Sequence, residues 1–364
     1  LNHPGWEVCD RVAAMRCPGI ERGDMKRLTG RQIGFTVGLL GFALPFLGQT
    51  HHAFSGVFDM NNLTELEGEI TRLMWRNPHV QFTMRDTNGD LWDIETNSVS
   101  ILSRMDVSAD LLAEGDRIMV AGYPARSGAN EMWINNVLLS DERELVTRPG
   151  VEPHWASEHL GVSETWLAGG FEGGAEQGIF RVWSTRFNGP GRSMGLADYP
   201  LTASASAAQS AFDPITDDPI SECTPKGMPW IMQQPYPVAF SRSDEDILFH
   251  IEEYDLVRTI HMDPGAVNEN APPRLLGYSV GRWDGDDLVV HTHSVDWYHF
   301  NTSGIPQSAE AQFEERFSLS DGGVNLDYTV IVTDPQTFTE PVTMRKQWVW
   351  RPGETVKPYE CTNY

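Results

Sequence analysis

Histidine provides the first candidate chemistry in this sequence. His51 and His52 are adjacent, and His79 follows in a predicted loop. If the chain is cleaved after Thr50, His51 offers both an amino group and an imidazole, and His79 adds a further imidazole. Nitrogen ligands of these types suit copper. The alternative is a polar N-terminal arm and a loop histidine that caps backbone groups.

His291 and His293 form a second candidate site, because residues two apart on a strand face the same side. Two imidazoles on one face can bind a divalent metal, although a solvent-facing strand has the same pattern. Glu315 and Arg316 are consecutive charged residues that can anchor a ligand carboxylate or lock two strands together.

Aromatic residues concentrate in the second half of the sequence, among them Tyr254, Trp283 and Trp297. A β-barrel lined by such rings can hold an apolar or aromatic molecule, and rings also simply fill barrel cores. We take these three residues, with Glu315 and Arg316, as the candidate ligand-binding set. The sequence contains no nucleotide-binding, serine-hydrolase or zinc-protease motif of the common kinds.

Cysteine usage indicates a covalent link in the second half of the chain. Of four cysteines, Cys223 and Cys361 lie outside the N-terminal region. An even pair in an exported protein predicts a disulfide, and two free buried thiols are the alternative. Neither cysteine has a second cysteine or a histidine at the spacing of a metal site.

The N-terminal region has the order of a signal peptide. Residues 1–24 show no periodic apolar pattern and are interpreted as non-native upstream translation, because Met25 opens a basic segment. An uncharged apolar run over 33–47 follows, and then residues 48–50 resemble a signal-peptidase cleavage site. Together these segments predict a signal peptide over 25–50. The run is short for a bilayer, so we expect no stable membrane span after processing, with an uncleaved anchor as the alternative. The predicted location is periplasmic or secreted.

The charge of the chain constrains its partners. It carries 51 acidic and 27 basic residues, which gives a formal net charge of −24. Because such a balance repels phosphate backbones, we expect no nucleic-acid partner.

The elements that would position these residues are mostly strands. Alternation of apolar and polar residues predicts strands at 64–75, 80–86, 91–95, 117–123 and 132–139, with a helix within 99–112. Three strands, a helix and two strands is the order of an OB-like five-stranded barrel. We predict this domain over 51–145, followed by a linker or flap over 146–177.

The second half predicts an antiparallel barrel over 178–364. Residues 178–184 look like an isolated strand, and tight turns such as 284–286 and 321–323 separate later strands. Eight further strands are predicted at 236–241, 247–254, 257–262, 277–283, 288–294, 313–320, 325–333 and 342–350. Short strands at regular spacing are typical of an antiparallel barrel or sandwich. The predicted fold class is therefore mainly β.

Three motifs stand out in the first half, namely His51-His52-Ala53-Phe54, Trp75-Arg76-Asn77-Pro78-His79 and Gly115-Asp116 with Gly122-Tyr123-Pro124-Ala125. On these residues the segment 51–145 resembles DUF6152, a family of exported bacterial proteins. The family has no established activity, so the resemblance implies no reaction.

Further motifs follow in the second half, including Cys223-Thr224-Pro225, Gly277-Tyr278-Ser279-Val280-Gly281 and Glu315-Arg316-Phe317. They resemble a second uncharacterised exported family, and that resemblance implies a lipocalin-like barrel. In relatives, a His-Ser-Glu element followed by a second His occupies the stretch that here reads Gln307-Ser308-Ala309-Glu310-Ala311-Gln312. If those groups are catalytic, this chain lacks them.

Together these observations predict an exported protein that binds a small, largely apolar or aromatic molecule in its C-terminal barrel. One alternative is an enzyme, an isomerase, lyase or hydrolase, in which Arg316, Glu315, His291 and His293 surround the cavity. Another is a copper-binding protein built on the first domain. Inward orientation of those four residues together would favour the enzyme.

Overall fold

The structure, a computed structural model, describes residues 54–156, 158–162, 175–187, 191–213, 216–217, 219, 223–263, 265 and 267–362. The described residues all belong to one compact unit. The predicted signal peptide lies outside the described residues. Within the described part of the chain, no helix has both the length and the apolar character needed to cross a membrane.

Strands dominate the described residues, with three short α-helices between them. The helices are α1 Phe54–Val57, α2 Val99–Arg104 and α3 Ala203–Ala211. The strands of the first half are β1 Thr64–Met74, β2 Gln81–Asp86, β3 Leu91–Glu95, β4 Arg117–Pro124, β5 Glu131–Leu138, β6 Glu144–Val146 and β7 His159–Leu160. Those of the second half are β8 Val182–Thr185, β9 Val238–Ser243, β10 Asp246–Ile251, β11 Leu256–His261, β12 Tyr278–Asp284, β13 Asp287–His293, β14 Gln312–Ser320, β15 Asn325–Thr333 and β16 Val342–Trp350.

The first five strands close into a small barrel. Their order is β3-β2-β1-β4-β5, and parallel pairing of β3 with β5 closes the ring. Helix α2 lies between β3 and β4 in the sequence, and the Ser98 side chain caps it by accepting a hydrogen bond from the Ile101 amide. Alternate strand residues such as Ile70, Phe82 and Val120 are buried in one core. The predicted five-stranded barrel with its helix is confirmed.

Strands β6 and β7 extend this sheet beyond β5. Glu144 on β6 is fully buried, and its carboxylate accepts hydrogen bonds from the backbone amides of His154, Trp155 and Ala156. Burial by itself raises the pKa of Glu144, but these donors outweigh burial and lower it below its usual value. This carboxylate therefore attaches part of the predicted linker to the first barrel.

The remaining nine strands close into a larger barrel, in the order β10-β11-β12-β13-β14-β15-β16-β8-β9. The predicted second barrel is confirmed, with two differences. The segment predicted as an isolated strand supplies β8, which pairs with β16 and β9. Strands β11 and β12 run parallel, so the chain must return along the barrel between His261 and Tyr278 before β12 begins.

The two ends of the larger barrel differ in their connections. Short turns join β9 to β10, β12 to β13 and β14 to β15 at one end, called here the turn end. Residues 294–311 and 334–341 join strands at the opposite end, called the loop end. Long connections have room to form a pocket, whereas turns of two to four residues do not.

Packed rings fill much of the interior of the larger barrel. The ring centroids of Phe240 and Phe249 are 4.6 Å apart, and those of Phe317 and Tyr328 are 4.9 Å apart. Trp348 is fully buried and lies 5.5 Å from Tyr328 between ring centroids. Such aromatic pairs add to the stability of a core. Where these rings lie, the interior of the barrel is filled by packed side chains.

Candidate functional site

A cavity of about 430 Å³ opens at the loop end of the larger barrel. It is called here the loop-end cavity. Its walls come from the connection before α3, α3 itself, the turn before β9, the connection after β13, and β16. The lining residues are Ser193, Met194, Gly195, Leu196, Ala197, Tyr199, Gln209, Trp230, Gln233, Phe300, Asn301, Thr302, Ser303 and Met344.

Packing between rings fixes the apolar wall of the loop-end cavity. Trp230 is buried on a short 3₁₀ helix, Trp230–Gln233, and its ring centroid is 6.0 Å from that of Trp297. A side chain at Gly227 would place its Cβ 2.4 Å from the Cβ of Trp297, so only glycine allows this close approach. On another wall, Tyr199 meets Phe300 edge-on with centroids 5.4 Å apart.

The polar groups of the loop-end cavity are neutral and held in place. Gln233 Oε1 accepts a hydrogen bond from the Met194 amide at 2.9 Å, and Gln233 Nε2 donates to Ser193 Oγ at 2.9 Å. Ser303 Oγ donates to Asn301 Oδ1 at 2.9 Å. None of the described lining residues carries a charge at neutral pH. The cavity therefore suits an uncharged molecule with an apolar body.

The larger barrel contains a second notable arrangement, a buried ion pair deep in its interior. Arg258 Nη1 donates to Glu315 Oε2 at 2.9 Å, and Nη2 donates to the other carboxylate oxygen. Thr292 Oγ1 and Tyr328 Oη donate to the same carboxylate at 2.8 and 3.0 Å. Arg258 Nε donates to Ser279 Oγ at 2.8 Å. The carboxylate predicted to anchor a ligand is thus occupied by protein donors.

The charges of this ion pair stabilise each other. Burial alone lowers the pKa of Arg258, but the Glu315 carboxylate reverses this effect and raises it above its usual value. Burial, and then the charge of Glu315, raises the pKa of Tyr328. All three residues are at most 2% exposed. Arg258 is therefore cationic and Tyr328 neutral, and both act as hydrogen-bond donors to the carboxylate.

The structure does not bring the five predicted ligand-binding residues together. Trp297 packs beside the loop-end cavity and Glu315 lies inside the barrel. Arg316 follows Glu315 on β14 and points outward, where it pairs with Asp284 and Asp287 at 2.6 Å. The reason is the pleat of the strand, which turns consecutive side chains to opposite faces.

The two remaining predicted residues also lie away from the loop-end cavity. Trp283 is 43% exposed at the turn end, with its ring centroid 6.1 Å from that of Phe180. Tyr254 packs against Tyr359, with centroids 5.0 Å apart, beside the core of the first barrel. Trp283 and Tyr254 each pack against a different aromatic ring elsewhere in the protein, so the five predicted residues do not form one site.

The predicted copper ligands are only partly within the described residues. His51 and His52 lie outside them. The ring of His79 pairs through Nδ1 with Glu95, and it meets Trp133 edge-on with centroids 5.1 Å apart. Among the described residues, no three or more His, Cys, Asp or Glu side chains lie close enough together to hold a metal ion in their present orientations. The copper site therefore stays a prediction.

His291 and His293 do lie side by side, as their spacing predicts. Their ring centroids are 5.8 Å apart on the outer face of β13. They line a surface cavity of about 410 Å³, called here the histidine pocket, together with Glu269, Ser294 and Glu310 among others. They do not meet Glu315, which faces the opposite side of the barrel wall, so the four residues considered for an enzyme do not surround one cavity.

The predicted disulfide is confirmed. Cys223 and Cys361 are bonded, with their Cα atoms 5.8 Å apart. Cys361 forms a β-bridge with Asn77 of the first barrel, and Asn77 Nδ2 donates to the carbonyl of Tyr359. The disulfide therefore fastens the C-terminal tail where it crosses from one barrel to the other.

A cluster of buried charges at the contact between the barrels, called here the junction, had no signal in the sequence. Lys226 Nζ pairs with Glu253 Oε1 at 2.7 Å, and both side chains are less than 10% exposed. Lys346 Nζ donates to the carbonyls of Met232 and Gln234 at 2.9 and 2.7 Å. Burial lowers the pKa of Lys346 to about 7. Only the pairing of distant segments creates this cluster.

The one family match found in comparison with known proteins lies in the first barrel and the residues just before it. Residues 43–133 match a family of unknown function, DUF6152. The matched segment includes β1 to β4 and the start of β5. No curated protein matches the chain. The resemblance of the second half to a lipocalin-like exported family, and the export of the chain, remain predictions.

Proposed function

We propose that this protein is exported and binds a small, uncharged, largely apolar or aromatic molecule in the loop-end cavity. The observation that carries the proposal is the lining of that cavity, which combines aromatic and thioether walls with fixed neutral polar groups. The proposal keeps the ligand class expected from the sequence and moves its site from the barrel interior to the loop end.

The dimensions and chemistry of the loop-end cavity support binding. A volume of about 430 Å³ falls within the range of small-molecule sites, which are mostly apolar with a few polar groups that orient the ligand. Trp230 and Phe300 contribute aromatic atoms to the cavity wall, and Met344 contributes a flexible apolar side chain. Gln233 is held by two hydrogen bonds, so it meets a ligand in a fixed orientation.

Binding is preferred to catalysis because the residues considered for an enzyme lie on different faces of the barrel. Glu315 is saturated by donors inside the barrel, and Arg316 is paired with aspartates outside it. Export is supported by the order of the N-terminal residues and by the Cys223–Cys361 disulfide, since disulfides persist in oxidising compartments.

A filled cavity tests this proposal. Gly195 lines the loop-end cavity, and a Cβ there meets no atom closer than 3.8 Å, so Gly195→Phe adds a ring without forcing the backbone. Gly265 is exposed, and a Cβ there would meet only the Asp263 carboxylate, at 3.3 Å, so Gly265→Phe provides a surface control. The probe is N-phenyl-1-naphthylamine, an uncharged aromatic dye whose fluorescence rises in apolar surroundings.

We expect the dye to bind the unmodified chain and the Gly265→Phe variant equally, and the Gly195→Phe variant at least tenfold more weakly. Quenching of tryptophan emission by bound dye gives an independent readout, because Trp230 lines the cavity. Equal binding by both variants, or no binding by the unmodified chain, would contradict the proposed site.

A further inference from the structure

The outer face of β13 holds two imidazoles in a fixed relation. Because β13 is paired on both sides, with β12 and β14, its backbone is rigid and the two side chains share one face. The rings of His291 and His293 are inclined by 41° with centroids 5.8 Å apart. His291 is exposed, so a metal ion can reach it from solvent.

His293 is prepared as a metal ligand by its neighbour. Its Nδ1 lies 2.8 Å from Ser294 Oγ. With Nδ1 donating to that oxygen, the lone pair of Nε2 is available, which is the arrangement that orients metal-bound histidines in proteins.

Carboxylates surround the two histidines. Glu269 and Glu310 line the histidine pocket from two different connections, and Glu314 lies directly opposite His291 on β14. Glu269 and Glu310 are exposed residues outside the strands, so either side chain can turn towards the imidazoles. The net charge of −24 concentrates cations near the protein surface.

We propose that His291 and His293 bind one divalent transition-metal ion, such as Zn²⁺, Ni²⁺ or Cu²⁺, in the histidine pocket. A carboxylate of Glu310 or Glu269 supplies a third ligand when it turns inward, and water completes the coordination. Imidazole suits these three ions, and a mixed imidazole and carboxylate set is common for them. This site is independent of the loop-end cavity and of the proposed apolar ligand.

Calorimetric titration of the chelator-stripped full chain with Zn²⁺ tests the site. We compare His291→Gln and His293→Gln with the control His261→Gln. His261 lies on β11, which β12 separates from β13; it pairs with Asp246 and does not line the pocket. We expect one bound ion, binding at least tenfold weaker in each of the first two variants, and unchanged binding in the control.

Two further measurements sharpen the test. Electron paramagnetic resonance of bound Cu²⁺ is measured on a chain with His51→Ala and His52→Ala, which removes the imidazoles of the predicted N-terminal site. It should show at least two bound nitrogens, and adding His293→Gln should reduce that number. Glu310→Gln and Glu269→Gln identify the carboxylate, and no effect of either would overturn the third-ligand part of the proposal. Absence of Zn²⁺ binding at 100 µM, or binding indifferent to both pocket histidines, would overturn the site itself.

Discussion

Arg104 and Glu252 join the two barrels through a buried, two-pronged ion pair. Arg104, the last residue of α2, donates from Nη1 and Nη2 to the two carboxylate oxygens of Glu252 at 2.7 and 2.6 Å. Glu252 immediately follows β10, and its side chain is fully buried. Arg104 Nε also donates to Glu354 in the C-terminal tail at 3.0 Å. One guanidinium therefore connects three segments that are distant in the sequence.

The first prediction concerns this ion pair. Glu252→Gln removes the carboxylate charge that balances Arg104, so that only Glu354 remains as a counter-ion of this buried cation. Breaking a buried ion pair in this way typically lowers the free energy of unfolding by about 3–5 kcal/mol. Urea unfolding followed by circular dichroism measures the loss. Asp284→Asn, which removes one exposed partner of Arg316, is the control and should cost less than about 1 kcal/mol. A loss of stability as small as that of the control would show that Glu252 is not essential to the contact between the barrels.

The second prediction concerns the ion pair inside the larger barrel. Glu315→Leu leaves Arg258 buried without its counter-ion, so we expect a loss of about 3–5 kcal/mol in the free energy of unfolding. The double variant Arg258→Met with Glu315→Leu removes both charges and should be more stable than Glu315→Leu alone. A double-mutant cycle measured by urea unfolding gives the coupling energy. If the losses of stability in Arg258→Met and Glu315→Leu add up to the loss in the double variant, the coupling energy is zero and the two residues do not interact as described.

The third prediction concerns the pH dependence of stability. Lys346 has a pKa of about 7 when folded and 10.5 as an ordinary lysine. Between these values the unfolded chain binds the extra proton, so unfolding becomes less favourable as the pH rises from about 7 to 10. Below pH 7 both states are protonated and the full cost of the buried charge is present.

Urea unfolding of the native chain and of Lys346→Met at pH 6.5, 8 and 9.5 measures this dependence. Lys226 and Glu253 face the same buried region and remain in both proteins, so the difference isolates Lys346. Lys346→Met should show a smaller rise in stability with pH, and the half-buried control Lys357→Met should show the native rise. Identical slopes in all three proteins would contradict the prediction.

The fourth prediction concerns the disulfide. Its cysteines are 138 residues apart, and closing a loop of that length restricts the unfolded chain by about 5 kcal/mol in the loop-entropy description. We expect Cys223→Ser with Cys361→Ser to lower the free energy of unfolding by up to that amount, and dithiothreitol to have the same effect on the native chain. The reductant should leave the double variant unchanged. Native stability that is insensitive to reduction would refute the contribution of the bond.

The sequence determined the local features of this protein. Alternating side chains identified most strands of both barrels, because a strand with one buried face has a period of two residues whatever its neighbours are. The Thr87-Asn88-Gly89 stretch between the antiparallel strands β2 and β3 has the residues of a hairpin turn, which is a similarly local signal. An even pair of cysteines predicted the disulfide, since only one pairing was open to them.

Only the tertiary structure decided which residues meet. Glu315 and Arg316 looked like one charged pair, yet Glu315 pairs with Arg258, 57 residues away, and Arg316 faces solvent. The loop-end cavity combines residues from positions 193 to 344, and no local pattern links them. The period of a strand determines that its side chains alternate between two faces. It does not determine which face turns inward, which strand lies beside it or which loops cover the end of the barrel, because these depend on how distant segments pack together.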